Sequence, residues 1–221
     1  MREFLDTVYQ RLFSAFGAQH WWPASSEFEM MVGAILTQNT AWSNVEMALQ
    51  RFKQPITPDR VLAMPLEILE EAVRPCGYFR QKALRLHDLA AWCRENGCCA
   101  LDFTQIKTER LREILLSLHG VGPETADSIL LYALERPVFV VDAYTRRMLS
   151  RLFNDESYST MSYDAVATLF HECVPPELTL YNEYHALIVR LCKEYCIKRA
   201  PRCTQCPLAD LCASVDISAQ M

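Results

Sequence analysis

Four cysteines near the end of the chain, Cys196, Cys203, Cys206 and Cys212, have types and spacing that could do chemistry. Their pattern is C-x6-C-x2-C-x5-C. Four thiolates in so short a stretch suit a tetrahedral zinc ion or a [4Fe–4S] cluster, since both take four sulfur ligands. A knot of disulfides is the plainer alternative. The six residues between the first two cysteines carry Lys198, Arg199 and Arg202, and Arg190 and Lys193 precede them. Such a basic cluster can meet phosphate, or it can simply balance the thiolates.

A second candidate is the turn Leu118-His119-Gly120-Val121-Gly122-Pro123-Glu124-Thr125-Ala126. Two glycines bracketing one apolar residue permit positive φ and close approach of another backbone. The helix expected from about Pro123 opens with N–H groups that lack intrahelical partners, so the turn can offer main-chain donors to a phosphate. An ordinary tight corner between two helices has the same look. About twenty residues on, Asp142 follows the apolar run Val138-Phe139-Val140-Val141 and precedes Ala143-Tyr144-Thr145-Arg146-Arg147. It is an N-cap candidate, and its place after a buried run could also set a carboxylate at a cleft.

The elements that must position these residues read as helices. Ser26-Glu27-Phe28-Glu29 has the form of a capping box ahead of an apolar run to Leu36. Further helices are expected from Trp42 to Phe52, from Thr57-Pro58, over 66–73, over 80–96 stopped by Gly97, over 108–118 stopped by Gly120, and over 124–134. Helices at about 143–153, 163–173 and 179–195 complete the set. The run Val138–Val141 is too short for a long strand, and no useful strand alternation, repeat or low-complexity linker occurs. The class is all-α.

With 221 residues and 51 % hydrophobic residues, the chain can build one large domain or two small ones. Met1–Gly17 reads as an amphipathic helix with Arg2, Glu3, Asp6 and Arg11 on its polar side rather than as an export signal. No apolar stretch approaches the roughly 20 residues that cross a bilayer. Ten cysteines without an export signal point to reduced thiols and metal ligation in a cytosolic protein. The net charge of −5 argues against the simplest kind of nucleic-acid binder, which is basic throughout. Main-chain donors and a local basic loop soften that objection.

Hairpin, apolar run, aspartate and cysteine loop, in this order, resemble the helix-hairpin-helix DNA glycosylases of the endonuclease III superfamily, over essentially the whole chain. The resemblance implies two helical lobes with a DNA-binding cleft. One is a six-helix barrel over residues 26–135 with the hairpin at 118–126. The other, a cluster lobe, combines 1–25 with 136–221 and holds the loop 196–212. It implies a [4Fe–4S] cluster on the four cysteines and a monomer that acts on double-stranded DNA with a damaged base in a bacterial or archaeal cytoplasm, without a membrane. Asp142 would support cleavage of the N-glycosidic bond. Gly120, Val121, Gly122, Glu124 and Thr125, with Lys198, Arg199 and Arg202, would face DNA. Bifunctional relatives carry a catalytic lysine where this chain has Glu124, and a carboxylate cannot form an imine, so the resemblance implies hydrolysis without strand cleavage. Gln38, in Leu36-Thr37-Gln38-Asn39-Thr40, matches the glutamine that fills the space left by a flipped base, though it could be a plain helix-terminal polar residue.

Trp21-Trp22-Pro23 and Trp42 are expected to meet at one end of the barrel. An aromatic wall there would favour an electron-poor, positively charged base, though scaffold packing is the usual use of tryptophan. This segment with Leu-Thr-Gln-Asn-Thr looks like the 3-methyladenine DNA glycosylase III branch, some of whose members lack the cluster cysteines. A uracil, thymine-mismatch or oxidised-pyrimidine glycosylase would share every anchor except the aromatic wall. An adenine glycosylase normally carries a further C-terminal domain. A non-catalytic iron–sulfur protein that binds DNA damage is the alternative of another class.

Overall fold

The computed structural model describes residues 1–215. Its described residues form twelve α-helices and three short 3₁₀ turns, with no strand. The chain divides into two compact units, Trp22–Arg136 and the remainder, Met1–Trp21 with Pro137 onward.

The Trp22–Arg136 unit is built around α2 (Glu27–Leu36), which is buried from Met30 to Leu36 and apolar on every side. Ser26 Oγ caps it by accepting from Glu29 N at 3.1 Å. Only half of the anticipated capping box forms, because the Glu29 carboxylate takes a hydrogen bond from Ser25 Oγ instead. Against α2 pack α3 (Trp42–Leu49), α6 (Phe79–Asn96) and α8 (Pro123–Tyr132), while α4 (Pro58–Leu62) and α5 (Leu66–Val73) lie on α6 and α7 (Thr108–Ser117) on α8. Thr57 caps α4 and Pro58 occupies its first turn, as that dipeptide directs.

One contact in this unit has no counterpart in the periodicity. Lys82, on α6, is 1 % exposed. Its ammonium donates to Leu36 O (2.9 Å), Gln38 O (2.8 Å) and Cys76 O (2.8 Å). Three donors meet three carbonyls, so the charge is buried without an unpaired hydrogen. Burial holds its pKa below the usual lysine value. The ammonium ties the end of α2 to the 3₁₀ turn Arg74–Cys76. Lys82→Met would leave three carbonyls without their donor, and a loss of about 3 kcal/mol or more is expected from chemical denaturation. A loss under about 1 kcal/mol would show that water replaces the ammonium.

The other unit contains α1 (Arg2–Phe16), α9 (Ala143–Phe153), α10 (Ser157–Thr160), α11 (Tyr163–Cys173) and α12 (Leu178–Glu194). Val138–Val141 is buried but forms no strand. Its main chain is satisfied by side chains: Phe139 N donates to His171 Nε2 at 3.0 Å, and Val141 N to Tyr163 Oη at 3.2 Å. Phe139 stacks on Phe170 with centroids 3.8 Å apart, and Tyr184 Oη donates to Leu5 O at 2.8 Å. This aromatic core fixes the segment that delivers Asp142. No helix among the described residues is long and apolar enough to cross a membrane.

Candidate active site, hairpin and cysteine cavity

Asp142 is the N-cap of α9. Its Oδ1 accepts from Thr145 N at 2.7 Å and from Thr145 Oγ1 at 3.0 Å. Its Oδ2 lies 3.6 Å from His185 Nε2 of α12, and the aspartate side chain is 13 % exposed. The capping and functional readings are therefore not rivals: one oxygen holds the helix, and the other faces an imidazole. Burial alone would push this carboxyl up. The hydrogen bonding and charge of His185 and the two Thr145 donors outweigh it, so the pKa is held below the usual aspartate value. His185 was not a sequence candidate. It sits on a buried helical face with Tyr181, Tyr184 and Ile188, where a lone histidine looks like core. Replacing it by phenylalanine leaves the desolvation opposed by Thr145 alone, and the acid limb of the rate profile is expected to move to higher pH. An unmoved limb would remove His185 from the site.

The hairpin joins α7 to α8. Val121 is buried, Gly122 and Glu124 are exposed, and Gly120 has φ +76°. Val121 N donates to Leu118 O at 3.1 Å, closing the turn. Gly122 is the N-cap of α8 and makes no side-chain cap bond, so the turn keeps the form of a main-chain anion site. Thr125 is buried, with its Oγ1 accepting from Gln38 Nε2 at 3.0 Å. Gln38 Nε2 also donates to Gly120 O at 2.9 Å. The structure thus joins Gln38 to the hairpin in one unit. Tyr78, which no pattern in the sequence singles out, precedes α6 in the same unit. It is 68 % exposed with φ +46° at the start of α6. Such a backbone is costly for a bulky residue, and Lys82 ties the preceding Cys76 carbonyl to that of Gln38.

Trp22 and Trp42 meet edge-on, with centroids 5.1 Å apart at 89°, and Tyr132 joins at 5.4 Å from Trp22. Trp22 lies on α2 at Gly33, where an added Cβ would come within 3.3 Å of Trp22 Nε1. Trp42 Nε1 donates to Glu46 Oε1 at 3.0 Å. Pro23 is exposed. Trp21 closes the N-terminal segment of the other unit, with Lys193 Nζ 5.6 Å from its ring centroid.

Cys196, Cys203, Cys206 and Cys212 are free thiols that line one cavity of about 120 Å³. Met148, Leu152, Leu191 and Leu208 supply apolar walls. Arg151 Nη1 donates to Cys196 Sγ at 3.2 Å and to Ile197 O at 2.9 Å, and Arg147 Nε donates to Cys196 O at 2.8 Å. Among the described residues, no three His, Cys, Asp or Glu side chains converge as a single metal ion requires. Four thiolates lining one cavity are the donor set that an iron–sulfur cluster takes, and zinc takes the same donors. Lys198, Arg199 and Arg202 are exposed on the loop beside it.

A buried carboxylate, a glycine hairpin and a four-cysteine cavity on an all-helical frame are the parts of a base-excision enzyme. The profile of the HhH-GPD superfamily base excision DNA repair proteins matches residues 32–176, and the chain belongs to that family. It is a DNA glycosylase of the endonuclease III superfamily. A protein of Methanocaldococcus jannaschii, provisionally described as a DNA repair glycosylase, is 44 % identical over 96 % of this chain and 97 % of its own. A 3-methyladenine DNA glycosylase from H. pylori, solved with 1,N6-ethenoadenine, is similar with TM-score 0.71 and 29 % identity, over 87 % of this chain and 98 % of its own. A non-covalent endonuclease III–DNA complex shares the fold with TM-score 0.82 and 24 % identity, over 100 % and 99 %.

Proposed function

We propose that the chain is a monofunctional glycosylase that hydrolyses the N-glycosidic bond of a flipped-out alkylated purine such as 3-methyladenine in double-stranded DNA. The observation that carries the substrate class is the Trp22–Trp42–Tyr132 cluster with Glu46 on the Trp42 indole N–H. A carboxylate accepting from the indole pushes electron density into the ring and strengthens its attraction for a cation. An alkylated purine carries that positive charge. Similarity to an enzyme solved with ethenoadenine points the same way.

Asp142 supplies the chemistry. As the C1′–N bond lengthens, its electron pair returns to the cationic purine, which leaves neutral. The sugar becomes oxocarbenium-like, and the fixed Asp142 carboxylate stabilises that charge. Water forms the new C1′–O bond and releases its proton to bulk water. Because Oδ1 is engaged by Thr145, Oδ2 is the oxygen with capacity to spare.

Strand cleavage through an imine would need an amine. Glu124 stands at the first turn of α8, and the Lys82 ammonium is buried on three carbonyls. Borohydride is therefore expected to trap no protein–DNA adduct. The four cysteines would hold a [4Fe–4S] cluster whose bonds fix the loop, and so aim Lys198, Arg199 and Arg202 at phosphates. Gly120, Gly122, Glu124 and Thr125 would present main-chain donors to the same backbone, while Val121 N closes the turn that holds them. Gln38 would fill the vacated stack and Tyr78 would stack beside it.

The test is base release from methylated duplex, with the freed bases identified, in wild type and Trp42→Ala. Release of 3-methyladenine by wild type, reduced about tenfold in the variant, supports the reading. Release of a neutral pyrimidine lesion, with methylated duplex untouched, would overturn it in favour of an endonuclease III-like substrate.

A further inference from the structure

Helix α6 grips Gln38 twice. Lys82 takes its backbone carbonyl, and Arg85, three residues on, takes its side chain. Arg85 Nη1 donates to Gln38 Oε1 at 2.6 Å. The Gln38 amide donates in the other direction, to Gly120 O (2.9 Å) and Thr125 Oγ1 (3.0 Å). Both kinds of amide group are thus engaged inside the protein. The amide also cannot be reversed, because its NH₂ would then face a guanidinium that has only donors. The Arg85 stem lies across the hairpin. An added Cβ at Gly120 would stand 2.0 Å from Arg85 Nε and 2.5 Å from its Cδ. Gly120 therefore serves two purposes, its positive φ and the room it leaves for this arginine.

An amide tied to the hairpin and to Arg85 by three hydrogen bonds cannot move into a duplex without letting go. The shortest of its bonds, and the only one to a full charge, is to Arg85. We infer that Arg85 is a latch on Gln38. It parks the glutamine on the hairpin and so sets the cost of inserting it opposite an unpaired base, where replacement hydrogen bonds are on offer. This rests on the reading that Gln38 enters DNA. The latch opposes insertion, so its removal should strengthen binding wherever insertion occurs and leave non-inserting binding alone.

The test uses the full chain and two duplexes with 2-aminopurine at one position. In one it is opposite a tetrahydrofuran abasic analogue, and in the other it is paired with thymine. Neither depends on which lesion the enzyme prefers. The measured quantity is the ratio of dissociation constants, paired over abasic. A weaker phosphate attraction affects both duplexes alike and cancels in that ratio. Arg85→Met keeps the stem over Gly120 and removes the fork. It is expected to raise the ratio about tenfold, the order of one charge-assisted hydrogen bond. Arg85→Lys keeps a charge without the planar fork, and should raise the ratio as well. In a Gln38→Ala background, Arg85→Met should change it less than about twofold. A ratio unchanged or lowered in both Arg85 variants overturns the latch. So does a tenfold rise that persists without the glutamine. If Gln38→Ala alone matches wild type in ratio and in 2-aminopurine fluorescence, Gln38 does not enter the duplex, and the underlying reading fails instead.

Discussion

Asp142→Asn is expected to bind damaged duplex as wild type does and to release base about 10²–10³-fold more slowly, the scale of removing one group aimed at developing charge. The substitution separates the two tasks of this side chain. An asparagine oxygen can still accept from Thr145 N, so α9 keeps its cap. What it loses is the negative charge that the proposed mechanism sets against the sugar. Asp142→Ala removes both, and should add about 1 kcal/mol of destabilisation to a similar rate loss. Single-turnover base release, a binding titration and a thermal melt read the three quantities separately. A rate within tenfold of wild type would make the carboxylate a cap and nothing more. The sign of the pH effect follows from the same contacts. The carboxyl is held below its usual value in the fold, so its ionised form contributes stability above the ordinary aspartate range. That contribution is lost as pH falls through the depressed value.

The frame of the molecule is written in local signals. Helix periodicity, Thr57-Pro58 ahead of α4, Ser162 ahead of α11 and glycines after α1 and α6 act within a few residues of each other. The all-helical class follows from them. The cations that organise the interior were not legible. Lys82 and Arg85 fall in a long amphipathic helix where charge reads as solvent-facing, yet their partners are carbonyls and an amide as many as 47 residues away. Arg147 and Arg151, on α9, hold the backbone of the cysteine loop. No spacing rule connects a side chain to a distant main-chain acceptor. His185 was hidden for the complementary reason: a polar ring on an apolar face looks like packing until Asp142 is placed beside it. Tyr78 could have been found only through its backbone, since its exposure and positive φ leave no periodic trace.

Cys206→Ser is expected to reduce iron content and visible absorbance to near background, while Cys192→Ser retains both. The two residues make a strict pair. Cys206 lines the cavity with Cys196, Cys203 and Cys212. Cys192 is buried close by, with its thiol donating to Tyr144 O at 3.5 Å, but it is not part of the wall. If proximity to the loop were enough, both substitutions would act alike. If ligation is what matters, only the first will. Loss of the group should also cost stability, because its bonds would tie four points of the loop together. The loop would lose its anchor at the same time, and Lys198, Arg199 and Arg202 their fixed positions. DNA affinity should then fall with a shallower salt dependence, by about one unit of slope for each phosphate that these cations no longer neutralise. An iron-free Cys206→Ser protein with wild-type affinity and salt slope would detach the cluster from DNA binding and leave the hairpin as the main grip. A wild-type protein that binds zinc and no iron would refute the cluster itself.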